Sequence, residues 1–278
     1  MFMVWTCLAG NSARASQLKP ETSAAFDRYA LLTEARMDDD IRLDQFLILD
    51  RLPDLQRKAV YNQVQHGEVY IEELHTQEDH HPIRIPSGLI HHWAGVIFIP
   101  KATLSEVDAV LQDYENEPEI YKPEIRKAKR IKRNGNESKI FLQFYNKSLA
   151  TVVLNDYSDV IETQLGNSRA QSASRSTRIA EVVNPGSPDE HERTDGEDRG
   201  YMWRLNSYWR IEEKDGGVYV QNESITLSRT VPVLLAWIVN PLVKSIPHDV
   251  LFHTLTNTRN AVLKSVTSPN REITDSLR

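Results

Sequence analysis

The sequence predicts an α+β protein in which a run of antiparallel strands is closed by helix. Three observations carry this. Six candidate strands follow one another over residues 125–133, 139–145, 151–162, 170–183, 201–213 and 218–228, with Asn134-Gly135 and Asp215-Gly216-Gly217 as turns. Such turns close tight hairpins, and hairpin-linked strands pair antiparallel. The chain then turns helical, with Leu251, Phe252, Leu255 and Val262 marking an apolar face. Before the strands, residues 18–76 read as a helical extension ending in a strand.

Each element has a local reason. Lys19-Pro20-Glu21-Thr22 opens the first helix, because proline's missing N–H costs least in the first turn and an acid suits the positive end of the dipole. Phe26, Tyr29, Ala30, Thr33 and Met37 recur at three- and four-residue spacing, an amphipathic pattern. Pro53 starts a second helix with Leu55, Ala59, Val60 and Val64 on one face, ending at Gly67. Residues 69–74 follow as a strand. Residues 88–99 form another strand, too apolar at its end to be half exposed, and Pro100 stops it. Thr103 with Glu106 makes a capping box for a helix whose stripe is Leu104, Val107, Val110, Leu111 and Tyr114. A short helical piece is expected around Pro118 to Tyr121. Residues 233–243 read as a helical piece cut off by Pro241, and Ser245-Ile246-Pro247 as the cap of a separate final helix.

The 278 residues hold 40% hydrophobic and 26% charged side chains, an ordinary globular composition with room for a real core. One cysteine, Cys7, excludes an internal disulfide framework and a cysteine-rich zinc module. The net charge of −6 argues against general nucleic-acid binding. Residues 1–17 begin apolar and include Ala13-Arg14-Ala15, which suits signal peptidase, but lack a charged start. They read as a truncated export signal or an apolar tail, with export favoured; the longest apolar stretch falls short of the ~20 residues that a spanning helix needs. Residues 266–278 read as a frayed tail.

Strand, two short helices, six antiparallel strands and a long final helix is an order that resembles the START-like superfamily, also called SRPBCC or helix-grip. That group includes the pollen-allergen-like proteins, lipid-transfer domains and polyketide cyclases. The segment from Tyr201 through Trp203, Trp209 and Asp215-Gly216-Gly217 to Val220 resembles the last hairpin of bacterial members. Gly88 to Pro100 resembles their first strand, and Ser228 to Pro232 and Ser245-Ile246-Pro247 extend the likeness over residues 87–265. The resemblance implies a curved sheet of about seven strands around the C-terminal helix, with a pocket between them for a lipid or other apolar molecule. It carries fold further than function, and residues 18–76 lie outside it.

Within that frame Trp203, Leu205, Ser207, Trp209 and Ile211 share one face of their strand and are expected to wall the cavity; the alternative is plain core packing. Leu251 and Leu255 would face them from the helix. Glu223 is in phase with Tyr219, Ile225 and Leu227. Facing inward it would need a cation, for which Arg178 is the candidate, or a proton; if Val218 and Val220 face inward instead, Glu223 lies in water. An inward Glu223 would give a cyclase- or dehydratase-like enzyme its acid. The expected function is binding of an apolar small molecule or lipid, oriented by Ser207, Arg178 and Glu223, with catalysis second and a partner-docking module with a filled cavity third.

No cofactor is implied: dinucleotide, phosphate-loop and nucleophile-elbow motifs do not occur. His80-His81 and His91-His92 invite a metal, but neighbours on an extended chain point to opposite faces, so no metal site is expected. Between Lys122 and Arg133 seven basic residues face one acid, Glu124. This stretch could meet an anionic membrane surface or an acidic partner, or be the solvated face of an edge strand. It lacks the interleaved aromatics of a nucleic-acid platform. Residues 184–199 hold six acids and no apolar anchor, and read as a mobile hairpin loop.

Overall fold

A computed structural model describes residues 18–147, 151–230 and 233–267, without the side chains of 233–245. The elements in order are α1 (Pro20–Arg42), a 3-10 turn (Ile48–Arg51), α2 (Asp54–Gln65), β1 (Tyr70–Glu73), β2 (Gln77–Glu78), β3 (His81–Pro82) and β4 (Gly88–Pro100). Then come α3 (Leu104–Leu111), a 3-10 turn (Tyr114–Asn116), α4 (Glu117–Ile120), β5 (Ile125–Asn134), β6 (Glu137–Asn146), β7 (Val152–Leu165) and β8 (Arg169–Val183). The chain closes with β9 (His191–Glu192), β10 (Arg204–Lys214), β11 (Gly217–Arg229) and α5 (Val233–Thr267).

The main sheet runs β1-β4-β11-β10-β8-β7-β6-β5, antiparallel throughout, with β9 beside β8. It therefore recruits β1, from the extension, as an edge strand beyond the seven expected. Register shifts at Ile125/Lys127 and Arg130/Lys132 in the β5–β6 pair and at Tyr157/Ser158 in the β7–β8 pair are bulges that bend strands and increase their twist. The β10–β11 turn is Asp215-Gly216, both with positive φ, as a two-residue hairpin loop requires.

The sheet is covered on both faces. On one, Leu251, Leu255 and Val262 of α5 pack against Ile97, Ile99, Val218 and Val220. A Cβ on Gly95 would lie 2.7 Å from Leu255 Cδ1, so glycine is what lets α5 lie against β4. On the other face, Phe26, Tyr29, Ala30 and Met37 of α1 pack on Trp203, Tyr208, Ile225 and Leu227. Beside them Phe46 to Leu49, Val60 and Val64 pack on Ala94, Val96, Phe98 and Tyr219. Two covered faces explain why β4 is apolar in both phases. The helix-grip architecture is present, with a further layer on the outside of the grip.

Local expectations fare well at α1 and at the Thr103 cap, where Thr103 N–H donates to Glu106 at 2.8 Å. Others need correction. Leu55 is 87% exposed and Ala59 is also exposed, so only Val60 and Val64 bury α2. No break separates two C-terminal helices: α5 runs through Pro241 and Pro247 to Thr267. The reading of residues 1–17 and of the tail beyond Thr267 lies outside the described residues. No described helix is long and apolar enough to cross a membrane.

Candidate functional site

Between the sheet and α5 lies a cavity of about 840 Å³. Its existence follows from residue size along two strands. The α5-facing positions of β11 run Val218, Val220, then Asn222, Ser224, Thr226 and Ser228. Branched side chains fill the first part and reach α5; small polar ones leave the second part open. In register, Ser207 of β10 stands between Ser174 and Ser224, and Trp209 between Ser172 and Asn222. Asn222 donates to Ser207 Oγ at 2.9 Å. The remaining wall is largely apolar, with Leu111, Tyr114, Ile140, Leu142, Phe144, Leu154 and Val160. The hollow therefore has a hydroxyl-rich wall at the middle of the sheet and an apolar lobe towards β5–β7.

Two buried acids line it without a cation among the described residues. Asp156, 1% exposed, lies beside Leu142 and Ile179 in register. Its Oδ2 accepts from the Ser158 hydroxyl at 2.7 Å, and its Oδ1 has no partner among the described residues. Burial pushes its carboxyl up to about 7 against the pull of that hydrogen bond. Glu117, 8% exposed, is pushed up to about 8 by burial and by the neighbouring Asp113 and Glu115. Sequence reasoning missed Asp156, although it stands in period-two phase with Leu154 and Val160.

Of the expected ligand residues, Leu205, Ser207, Trp209 and Leu251 line the cavity. Leu255 is wholly buried in the packed core between α5 and β4 rather than in the hollow. Trp203 precedes β10 and packs under α1, where its indole N–H donates to Asp198 at 2.8 Å. Arg178 points to the face away from the cavity and pairs with Glu192 and with Asp195 at 3.2 Å, not with Glu223.

Glu223 meets neither expectation. Val218 and Val220 do take the α5-facing phase, yet Glu223 is not in water: it is 0% exposed beneath α1. Arg36 donates to its Oε1, and His92 Nε2 lies 2.7 Å from the same oxygen. His92 Nδ1 lies 3.0 Å from the Tyr29 hydroxyl, which accepts the Thr76 N–H at 2.8 Å. These partners fix the donors: Tyr29 O–H to Nδ1, and Nε2–H to an ionised Glu223. Burial alone would raise the Glu223 carboxyl, but the His92 hydrogen bond and the Arg36 charge outweigh it and hold it low. Burial keeps His92 neutral, its value lowered despite Glu223. Arg210, 3% exposed, donates to Phe46 O at 2.8 Å and Met37 O at 2.7 Å. This network fastens the extension to the sheet; it is no pocket acid.

His91 and His92 do point to opposite faces, His91 into the cavity wall. Among the basic residues of β5, which ends the sheet path, Lys127 pairs with Glu190 at 2.7 Å and Arg133 with Glu162 at 3.5 Å. Arg130 donates to Gln112 O at 2.9 Å. The acidic loop is also tied down. His191 pairs with Val183, Glu190 takes Lys127, and Glu192 accepts from Asn155 and Tyr157 at 2.8 Å each. Ion pairs replace the missing apolar anchor and fold it over the face opposite the cavity.

No protein-family model matches this chain, and no curated protein does. Solved structures similar to it include a STAR-related lipid transfer protein from Xanthomonas axonopodis, 15% identical, covering 69% of this chain and 98% of that one at a TM-score of 0.44. The Zhui aromatase/cyclase from Streptomyces sp. R1128 is 11% identical, covering 66% and 99%, also at 0.44. Human STARD10 is 12% identical, covering 77% and 81%, again at 0.44. The ligand question rests on this chain's own cavity.

Proposed function

We propose that this protein binds an apolar small molecule or lipid in the hollow between its sheet and α5. The observation that supports this reading is the volume of about 840 Å³, inside the ~300–1,000 Å³ range of ligand sites. Burial would drive association, each CH₂ removed from water contributing about 0.8 kcal/mol. Leu205, Trp209 and Leu251 would contact the apolar body, and Ser207 a polar group. Native mass spectrometry of the purified full chain is the test. The expected result is a co-purifying hydrophobic adduct, or uptake of the neutral dye Nile red once that adduct is extracted. A chain that carries no adduct and takes up no dye would overturn the reading.

A second reading, cyclase- or dehydratase-like chemistry by a pocket acid, loses Glu223 and attaches instead to Asp156, whose value near 7 suits proton transfer at neutral pH. It expects Asp156→Asn to abolish turnover of a bound polyketide-like substrate while leaving its binding in place.

A further inference from the structure

Most buried acids in this protein have a cation to meet. Glu223 has Arg36, Glu212 has Arg169 at 2.6 Å, and Asp40 has Arg36 at 2.8 Å. Among the described residues Asp156 has only the Ser158 hydroxyl, which takes Oδ2, so that Oδ1 is left over, buried in the wall of the hollow that Asp156 lines. An orphaned buried oxygen of this kind destabilises the fold. Glu162, Glu212 and Glu223 also have an oxygen without a hydrogen-bond partner, but each is paired with an arginine, and for Glu117, which has another, no described side-chain hydrogen bond fixes its direction. The wall divides into two chemistries, with the hydroxyl row in register with Val160, four residues along β7 from Asp156. Leu142, Leu154 and Val160 are apolar, while Ser174, Ser207 and Ser224 form a row of hydroxyls across the neighbouring strands.

We propose that the cavity selects an amphiphile whose hydrogen-bond-donating head, a hydroxyl or an ammonium, meets Asp156 Oδ1 while its tail lies in the apolar lobe. This rests on the carrier reading above and adds the class of ligand. An ionised carboxylate only accepts, so a donor head completes its shell and an acceptor-only head leaves it orphaned. A donor head also removes the penalty that the empty site carries, which is why its advantage should exceed that of an ordinary exposed hydrogen bond. The raised value of Asp156 agrees: the group lacks the stabilising partner that such a head would supply.

The experiment is displacement of Nile red from the extracted full chain at alkaline pH, where Asp156 is ionised. The competitors are decanol, decylamine and decyl methyl ether, which share one tail. Expected is displacement by the alcohol or the amine at concentrations at least about tenfold below the ether, about 1.4 kcal/mol of selectivity. An advantage for decylamine alone assigns an ammonium head, and one for decanol a hydroxyl head. Asp156→Leu should erase the advantage and leave the ether's displacement as it was, which also reports that the variant is folded. Asp156→Asn, whose single amide oxygen is taken by the Ser158 hydroxyl and whose NH2 replaces Oδ1, offers no free acceptor and should lose both advantages. Equal displacement by all three competitors, or an advantage that survives Asp156→Leu, overturns the inference and leaves the carrier reading standing. If neither dye nor competitors enter the wild-type chain, the carrier reading falls and takes the inference with it.

Discussion

Beneath α1, Glu223 is wholly buried, accepts from Arg36 and His92, and is held low; across the sheet, Asp156 is as deeply buried, meets one hydroxyl, and is pushed up to about 7. The same functional group in the same sheet thus reaches opposite protonation behaviour. Burial acts on both in the same direction, so the partners decide. On the outer face α1 supplies cations and the carboxylate becomes part of the fastening. On the inner face the partner is missing, and the space beside it is open. On one face the buried acid is paired with a cation; on the other it has none among the described residues and borders open space.

The largest effect expected from this contrast is on folding stability. Glu223→Leu strips the counter-charge from Arg36 and the acceptor from His92, and should cost about 3–5 kcal/mol in urea unfolding, the cost of breaking a buried ion pair from one side. Asp156→Leu removes a buried acid that has no cation among the described residues and should stabilise the chain at neutral pH. If both variants lose stability equally, the faces do not differ as described.

Acid sharpens the same contrast because the signs differ. Glu223 is depressed below its usual 4.5, so its contribution is complete above that value and is lost as pH falls through the lower folded-state value. Asp156 is raised from 3.8 to about 7, so the folded chain holds a proton that the unfolded chain has released. Its penalty is complete above about 7 and is relieved as pH falls towards the unfolded value. Between about pH 8 and pH 5.5 the stability advantage of Asp156→Leu over wild type should shrink by roughly 2 kcal/mol. An advantage that stays constant with pH would mean that Asp156 is ionised throughout, and so not alone. Taking the difference between the two proteins cancels Glu117, whose raised value acts with the same sign.

How far this was legible depends on whether the cause is local. Turn chemistry at Asn134-Gly135 and Asp215-Gly216, the proline that opens α1 and the Thr103 cap act within a few residues, and the elements they predict are present. Glu223 was not legible, because β11 is apolar in both phases: Val218 and Val220 face α5 while Tyr219, Ile225 and Leu227 face the extension. Period-two reasoning assigns a face only where one side is wet. The acidic loop failed for a related reason, since Lys127 and Arg178 are distant in sequence from the glutamates they hold. Asp156 and the serines were within reach. Ser172, Ser174 and Ser224, Thr226, Ser228 alternate in phase along their strands, and small residues at successive inward positions are the signal of unfilled space.

The smallest stability effect belongs to the middle of that hydroxyl row. Ser207 lies between Ser174 and Ser224 and accepts from Asn222 at 2.9 Å. In a packed interior, exchanging serine for leucine would force neighbours apart and cost about 1–3 kcal/mol or more. Here the added carbons enter the hollow, so the change reduces to about 1 kcal/mol for the lost hydrogen bond, offset by newly buried apolar surface. Ser207→Leu should therefore unfold within about 1 kcal/mol of wild type and yet take up Nile red at least about tenfold more weakly, because it occupies ligand space. A loss of stability like that of Glu223→Leu, with dye uptake unchanged, would mean that the inner face is packed as tightly as the outer one.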